Sequence, residues 1–384
     1  MARALSSFRP VFVAGVGLHP YRKYSPTPYV ALGLAAVREA LTDAGARWGD
    51  IESAYVASAL LGMAPGRPML RHLGASGLSI THVENASASG SSAFRLAALE
   101  VASGQSDLVV AIGVDKPAMV ELGARQAVLD LLERDRVSAF THFALLAQRY
   151  ADAYGATPED FARVAAKNLA NGARNPYAQR REPRSVADIV AAAPLAGFLT
   201  SPQSCPVGEG AAAAILASED GLKRLQFERK RTVRVLSSAS RSERLYDDEG
   251  GFDAALTEET VRDALADAGV SPGALDVVEL HDAFSVEELL YTERMGLCDP
   301  GDAPRRLKAG HFDIGGEVAV SASGGLIAMG HPLGPTGLGQ IAEITRQLRG
   351  EAEGRQHPDA KTGLAHMVGL GAVCVAHVLQ RDAE

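Results

Sequence analysis

Cysteine, aromatic residues and positive charge are all scarce in this chain of 384 residues, and each shortage removes a class of answer. Only three cysteines occur, Cys205, Cys298 and Cys374, far apart and odd in number. They form neither a disulfide framework nor a metal-ligand spacing, so no metal site is expected and a reducing cytoplasm suits the chain. Aromatics make up 5% with a single Trp, so small and aliphatic side chains must fill the core. Lys and Arg total 38 against 46 Asp and Glu, a net charge of −8. That balance argues against nucleic-acid binding through a basic surface, while leaving room for a local basic rim on a phosphorylated ligand. No run of 18 apolar residues occurs, so no membrane span is expected. The opening MARALSSFRPVFVAGVG lacks an apolar stretch followed by a small-residue cleavage site, so no secretory signal is read.

What is plentiful is hydrophobic residues, at 47%, and glycine, 39 in number. The length predicts two or three domains at about 150 residues each, and the glycines predict many tight turns and close backbone contacts. An internal echo organises the rest. VREALTDAG from Val37 returns as VRDALADAG from Val261, each an amphipathic helix closed by a glycine. Each is followed at the same offset by a short apolar strand, ESAYVAS from Glu52 and DVVELHD from Asp276. Two copies of one helix–strand unit point to a duplicated α/β core. Further strands are expected at Val11–Val16, Leu108–Val114, Ala211–Ala217, Val233–Ser237 and Val373–Leu379, apolar enough to be buried on both faces. A helical, polar, Arg-rich stretch interrupts them. The expected division is 1–114 with 203–225 as one half, 115–202 as an inserted loop domain with a small core of its own, and 226–384 as the other half.

Four segments near strand ends carry candidate chemistry. In ENASASGSSAF from Glu84 a small-residue turn runs into a helix, which places Ser87 at its positive end. A serine there is also a common helix cap, a reading open to Ser87 and Ser89 alike. ELHDAFSVEELL from Glu279 presents His281 and Asp282 before a helix, where either residue could be purely structural. SASGGLIAMGHPLGPTGLGQ from Ser321 holds His331 on a loop of rigid and small neighbours. LAHMVGLGAVCVAHVL from Leu364 is expected to feed a glycine loop into a strand, with Gly369 and Gly371 able to bring backbone N–H groups to a ligand.

Taken together, and with GVDKP at Gly113, KNLANGARNP at Lys167 and CPVGEGAAAAIL at Cys205, these segments resemble the thiolase superfamily over essentially the whole chain. The resemblance is to the branch of sterol-carrier-protein thiolases and the bacterial and archaeal thiolases that work with a small OB-fold partner. It implies an α/β thiolase fold, with duplicated five-stranded sheets in αβαβα layers and an inserted helical loop domain. By position, Ser87 matches the nucleophile, His331 the residue that activates it, and His281 a histidine that helps hold an oxyanion. The N–H groups of Ser87 and Gly369 match a second oxyanion hole. Coenzyme A is then a substrate, with no bound cofactor, and the partners implied are an acyl-CoA, a homodimer or homotetramer, and an OB-fold subunit.

Three positions depart from that pattern. Ser87 stands where the family has cysteine, and Ala283 and Met367 stand where its members carry acid/base cysteines. A serine hydroxyl needs a general base, which His331 would supply, and it forms an oxygen ester rather than a thioester. Ser87 is then a slow natural nucleophile or an engineered Cys→Ser replacement in an acyl-CoA C-acyltransferase. The alternatives are a cysteine-independent retro-aldolase on a β-hydroxyacyl-CoA, with His331, His281 and Tyr246 as candidate groups, and a non-catalytic acyl-CoA or lipid carrier or scaffold.

Overall fold

The computed structural model describes residues 4–117, 139–244, 252–369 and 373–382. The first half runs β1 (Phe12–Arg22), α1 (Tyr29–Ala44), β2 (Ser53–Ala57), α2 (Gly66–Leu70), β3 (Ser79–Val83), α3 (Ser89–Ser103) and β4 (Leu108–Asp115). Helices α4 (Ala139–Tyr154), α5 (Pro158–Ala173) and α6 (Val186–Val190) follow, then a small hairpin of β5 (Pro194–Ala196) and β6 (Leu199–Thr200). The chain returns through β7 (Glu209–Ala217) and α7 (Glu219–Leu225). The second half is β8 (Val233–Ser242), α8 (Phe252–Ala268), β9 (Val277–Glu279), α9 (Ser285–Arg294), α10 (Ala303–Lys308) and β10 (Ala319–Val320), followed by α11 (Gly325–Met329), α12 (Leu333–Arg349), β11 (Thr362–Gly369) and β12 (Val373–Arg381).

The duplication read from the echo is complete at the level of topology. The sheet order is β10-β9-β11-β12-β8-β1-β7-β4-β2-β3. Numbered within each half, both sets of five strands take the order 1-5-4-2-3, counted outward from the seam. Orientation repeats as well: β1–β7 and β8–β12 are antiparallel, while β2–β3 and β9–β10 are parallel. At the seam Phe12 pairs with Arg234 and Val13 with Val233, and the Val235 N–H donates to the Val11 carbonyl (2.9 Å). The echoed helices end alike. Gly45 and Gly269 have φ of +64° and +67°, and the N–H groups of Ala46 and Val270 reach back to the carbonyls of Leu41 and Leu265.

Alternation along β7 shows how the layers stack. Ala212, Ala214 and Leu216 face the central layer with α3 and α12 residues, whereas Ala211, Ala213 and Ile215 face α1. The order is therefore α1, first sheet, α3 with α12, second sheet, α8. Small residues are needed because the layers approach closely. A Cβ at Gly15 or Gly17 would lie 2.3 or 2.2 Å from the carbonyl oxygen of Ala40 or Ala36. Helix α12 is buried from Gly334 to Thr345, which explains why its sequence is not charged on one face.

Several expectations need correction. Strand β1 continues past Val16 to Arg22 because β7 pairs with it as far as Glu209, although its polar end hides this from pattern reading. The half-exposed edge strand β3 and the two-residue β10 were not foreseen. The segment from Leu364 starts within a strand of its own, β11, which pattern reading does not foresee; the expected strand at Val373–Leu379 is present as β12, and residues 370–372 between them lie outside the described residues. The insertion does not keep a core to itself: Phe161, Val164 and Leu169 of α5 share one cluster with Phe284, Leu326 and Ala328 of the second half. Among the described residues no helix is long and apolar enough to cross a membrane.

Candidate active site

The turn between β3 and α3 sets the position of Ser87. Ala86 adopts φ +48°, a left-handed conformation that costs a non-glycine residue about 1–2 kcal/mol. Neighbours hold it there. The Ala86 N–H donates to Glu84 Oε1 (2.7 Å), and Ser89 Oγ donates to the Ala86 carbonyl (2.6 Å) while accepting the Asn85 N–H (2.8 Å). Ser89 thus secures the turn, and Ser87 is left for other work. Buried to 6% exposure, its Oγ lies 2.9 Å from His331 Nε2, across 244 residues of sequence.

His331 is held by the loop between α11 and α12. Its Nδ1 lies 3.0 Å from Thr336 Oγ1, and that hydroxyl spends its one proton on the Pro332 carbonyl (2.6 Å). Thr336 must therefore accept, so Nδ1 carries the imidazole proton and Nε2 keeps the lone pair that faces Ser87. Burial, with His281 nearby, holds His331 well below the ordinary imidazole range, so it is neutral near pH 7 and fit to take a proton. The loop is pinned from the first half. Tyr21 donates to the Pro335 carbonyl (2.9 Å), and the Gly334 N–H donates to Asp115 (2.6 Å), which also takes Ser58 Oγ (2.7 Å) and the Leu60 N–H (2.9 Å). Burial raises the Asp115 carboxyl above its usual range in spite of these donors.

Close helix contact completes the pairing. A Cβ at Gly90 would sit 2.5 Å from the Gly334 carbonyl oxygen, and one at Gly337 would sit 2.2 Å from Ser91 Oγ. Only glycine lets the N-terminal ends of α3 and α12 meet this tightly. Both ends direct partial positive charge toward the Ser87–His331 pair.

His281, also buried, stands beside them. Its ring centroid is 5.4 Å from that of His331, edge to face, and its Nδ1 is 2.7 Å from Glu287 Oε1. Asp282 points away, accepting Leu326 N–H (2.6 Å) at the start of α11 and Asn168 Nδ2 (2.8 Å). Burial and Glu288 raise its carboxyl well above the ordinary range. The KNLANGARNP segment is a clamp on the same region. Asn168 also donates to Glu288 (3.0 Å), Lys167 pairs with Glu288 (3.2 Å), and Asn171 and Asn175 donate to the carbonyls of Ser321 and Ser323 (3.1 and 2.9 Å). These four side chains fix the turn that leads to His331.

Gly369 abuts the Ser87 turn, where a Cβ would lie 2.5 Å from the Asn85 carbonyl oxygen. Met367 packs with Ala88 beneath that turn, and Ala283 lies by the His281 loop with its carbonyl taking the Cys205 N–H (2.8 Å). The Cys205 thiol is pushed up to about 12 by burial and by Glu287 and Asp282. Tyr246 and Gly371 lie outside the described residues. Ser87, His281, His331 and Gly369 therefore converge from four separate segments. Sequence reading gave no role to Thr336, Asp115 or Glu287. All three sit inside quoted motifs, and only their distant partners reveal what they do.

The arrangement offers a hydroxyl with an adjacent base, a second imidazole backed by a carboxylate, and two helix N-termini. Such a set supports nucleophilic attack on a carbonyl, or proton transfer beside one. A cavity of about 490 Å³, whose lining does not include Ser87, His281, His331 or Gly369, is bounded by Gln179, Arg180, Arg181, Glu182 and Arg184 together with Leu169 and Pro202. Arg180 donates to the Ser204 and Ile327 carbonyls (2.7 and 3.1 Å), which places the cavity against α11.

Comparison with known proteins follows the same lines. Residues 19–183 match the thiolase N-terminal domain and residues 241–381 the thiolase C-terminal domain-like family. The chain is 35% identical over 372 residues to benzoylsuccinyl-CoA thiolase subunit BbsB of Thauera aromatica, covering 94% of this chain and 95% of that protein. It is 34% identical over 394 residues to human sterol carrier protein 2, covering 96% of this chain and 72% of that one. The solved Ltp2-ChsH2(DUF35) aldolase superposes with a TM-score of 0.83 at 22% identity, covering 99% of this chain and 100% of that one.

Proposed function

The chain belongs to the thiolase family, and from that premise we propose that it cleaves the Cα–Cβ bond of a β-ketoacyl-CoA by acyl transfer, with Ser87 as nucleophile and His331 as its base. The observation that carries this reading is the 2.9 Å contact of Ser87 Oγ with a His331 Nε2 that holds a lone pair. His331 takes the hydroxyl proton as Oγ attacks the β-carbonyl, and the N–H groups of Ser87 and Gly369 receive the oxygen on which charge develops. Coenzyme A then collects the acyl group. Its phosphates suit the arginines of the cavity against α11, a local basic rim on an acidic chain. A homodimer formed across the exposed edge strand β3 and the apolar Leu60 and Met63, and an additional OB-fold subunit, fit the same reading.

A second reading is favoured by Ala283 and Met367, neither of which can shuttle a proton, and by the solved neighbour named as an aldolase. Here a β-hydroxyacyl-CoA is split by retro-aldol chemistry with no covalent intermediate. Intact-protein mass after incubation with acetyl-CoA and short β-ketoacyl-CoAs separates the two. An acyl adduct on Ser87, enhanced in Ser87→Cys, is expected for the first reading. Adducts on neither protein, together with cleavage of a β-hydroxyacyl-CoA, would replace it with the second.

A further inference from the structure

The two buried imidazoles of the site differ in what stands behind them. His331 turns Nδ1 to the neutral Thr336 hydroxyl. His281 turns Nδ1 to the Glu287 carboxylate at 2.7 Å, a charge-assisted contact. That carboxylate is fixed in place, since Oε2 takes the Phe284 N–H (2.8 Å) and Oε1 takes the Tyr291 hydroxyl (3.2 Å). It accepts only, so Nδ1 of His281 is the protonated nitrogen and Nε2 is the atom left for substrate. Other titratable groups near His281 are His331, the buried His366 (whose Nδ1 lies 3.5 Å from the His281 N–H), Asp282 and the thiol of Cys205. Among the described contacts of this ring, the carboxylate in hydrogen-bond reach is that of Glu287.

We propose that His281, positioned by Glu287, is the group that gives the proton to Cα when the carbon–carbon bond breaks, the duty for which Ala283 and Met367 provide no sulfur. This rests on the reading that the chain cleaves a Cα–Cβ bond of an acyl-CoA. In the thiolytic route His281 enters with a second proton on Nε2, opposite the Glu287 carboxylate on Nδ1; the Ser87 proton passes to His331, the Cα–Cβ bond breaks, and its electron pair takes that Nε2 proton. The incoming CoA thiol then returns a proton to His281 as its sulfur takes the acyl group, and His331 restores the Ser87 hydroxyl. In the retro-aldol route neutral His281 removes the β-hydroxyl proton, the bond breaks to a carbonyl and an enolate, and the same proton goes back to Cα. Both routes balance without a further reactant. Glu287 touches no reacting atom and is a positioning residue.

The test is exchange of the Cα hydrogens of acetyl-CoA and propionyl-CoA in D2O, followed by mass spectrometry for the wild type, Glu287→Gln, Glu287→Asp and His281→Gln. Exchange requires proton transfer at Cα and no bond cleavage. The expected result is exchange by the wild type, a loss of about 10²-fold in Glu287→Gln with KM kept within about threefold, and partial recovery in Glu287→Asp. The amide in Glu287→Gln can offer Nδ1 an N–H and so favour the wrong tautomer, whereas the shorter carboxylate cannot. Should Glu287→Gln fail to fold, His281→Gln must still abolish exchange. Exchange within about threefold of wild type in folded Glu287→Gln or His281→Gln, alongside normal cleavage by the wild type, overturns this assignment alone. A wild type that neither exchanges nor cleaves any acyl-CoA overturns the reading beneath it as well.

Discussion

A methyl group added at Gly337 would sit 2.2 Å from Ser91 Oγ, 2.7 Å from Ser91 N and 3.2 Å from Ser91 Cβ. The hydroxyl can rotate aside, but the peptide nitrogen in the first turn of α3 cannot. Restoring an ordinary contact of about 3.4 Å to that nitrogen separates α3 from α12 by roughly 0.7 Å. The Ser87–His331 distance, now 2.9 Å, would then exceed the reach of a hydrogen bond. Gly337→Ala is therefore expected to cost about 1–3 kcal/mol of stability as an overpacked contact, and about 10²-fold in kcat as a misplaced catalytic pair. Urea unfolding and steady-state cleavage of the acyl-CoA substrate measure the two. Gly49→Ala, with nothing within 4 Å, serves as the control and should change stability by less than about 0.5 kcal/mol. Adding Ser91→Ala to Gly337→Ala removes only the hydroxyl clash and should restore little. A folded Gly337→Ala protein whose kcat stays within about threefold of wild type would refute the claim that the helix crossing sets the catalytic distance.

Three further outcomes follow from other contacts. Thr336→Val removes the acceptor of His331 Nδ1 and should lower kcat by about tenfold or more with little change in KM, which steady-state kinetics would show. Asn168→Ala strips a donor from both Asp282 and Glu288 and should destabilise by about 3 kcal/mol in urea unfolding, since two buried carboxyls lose a partner. The third concerns pH. Burial first, and Arg95 second, push the imidazole of His377 down to about 3, so between pH 6.5 and 3 the unfolded chain binds the extra proton and stability falls as pH falls. His377→Gln removes this linkage, so the loss of stability between pH 7 and pH 5 should be smaller by about 2 kcal/mol, read from unfolding midpoints at the two pH values.

The fold was legible where one short stretch carries its own physics. The echo at Val37 and Val261 marked the duplication because a helix stop needs a left-handed glycine, and Gly45 and Gly269 both supply one. Strand β3 was not legible, because an edge strand with mixed exposure has no apolar run to betray it. For the site, ENASASG, HDAF and GHPLGPTG brought Ser87, His281 and His331 to notice, and Ser89 proved to be the serine that ties down the turn. What could not be read was pairing at long range. Asp115 meets Gly334 across 219 positions, and no local pattern announces that an aspartate ending one strand will hold a loop in the other half. Glu287 lies only six residues from His281, yet a glutamate in a first helical turn reads as a capping residue, which it also is. The insertion reads as a helical, polar unit whose apolar residues form a small core of its own. That pattern says a face is buried without saying against what, and the face of α5 turned out to meet α11.

The seam between the halves has a consequence for how this protein comes alive. Ser87 precedes the central helix of the first half and His331 precedes its counterpart in the second, while among the described residues the two sheets pair over a short stretch from Phe12 to Val13. Neither half alone owns a nucleophile and its base, so each would be chemically mute however well it folded. During refolding, turnover is then a clock for docking: it starts only when α3 and α12 have crossed, and it lags any signal that reports strands and helices alone.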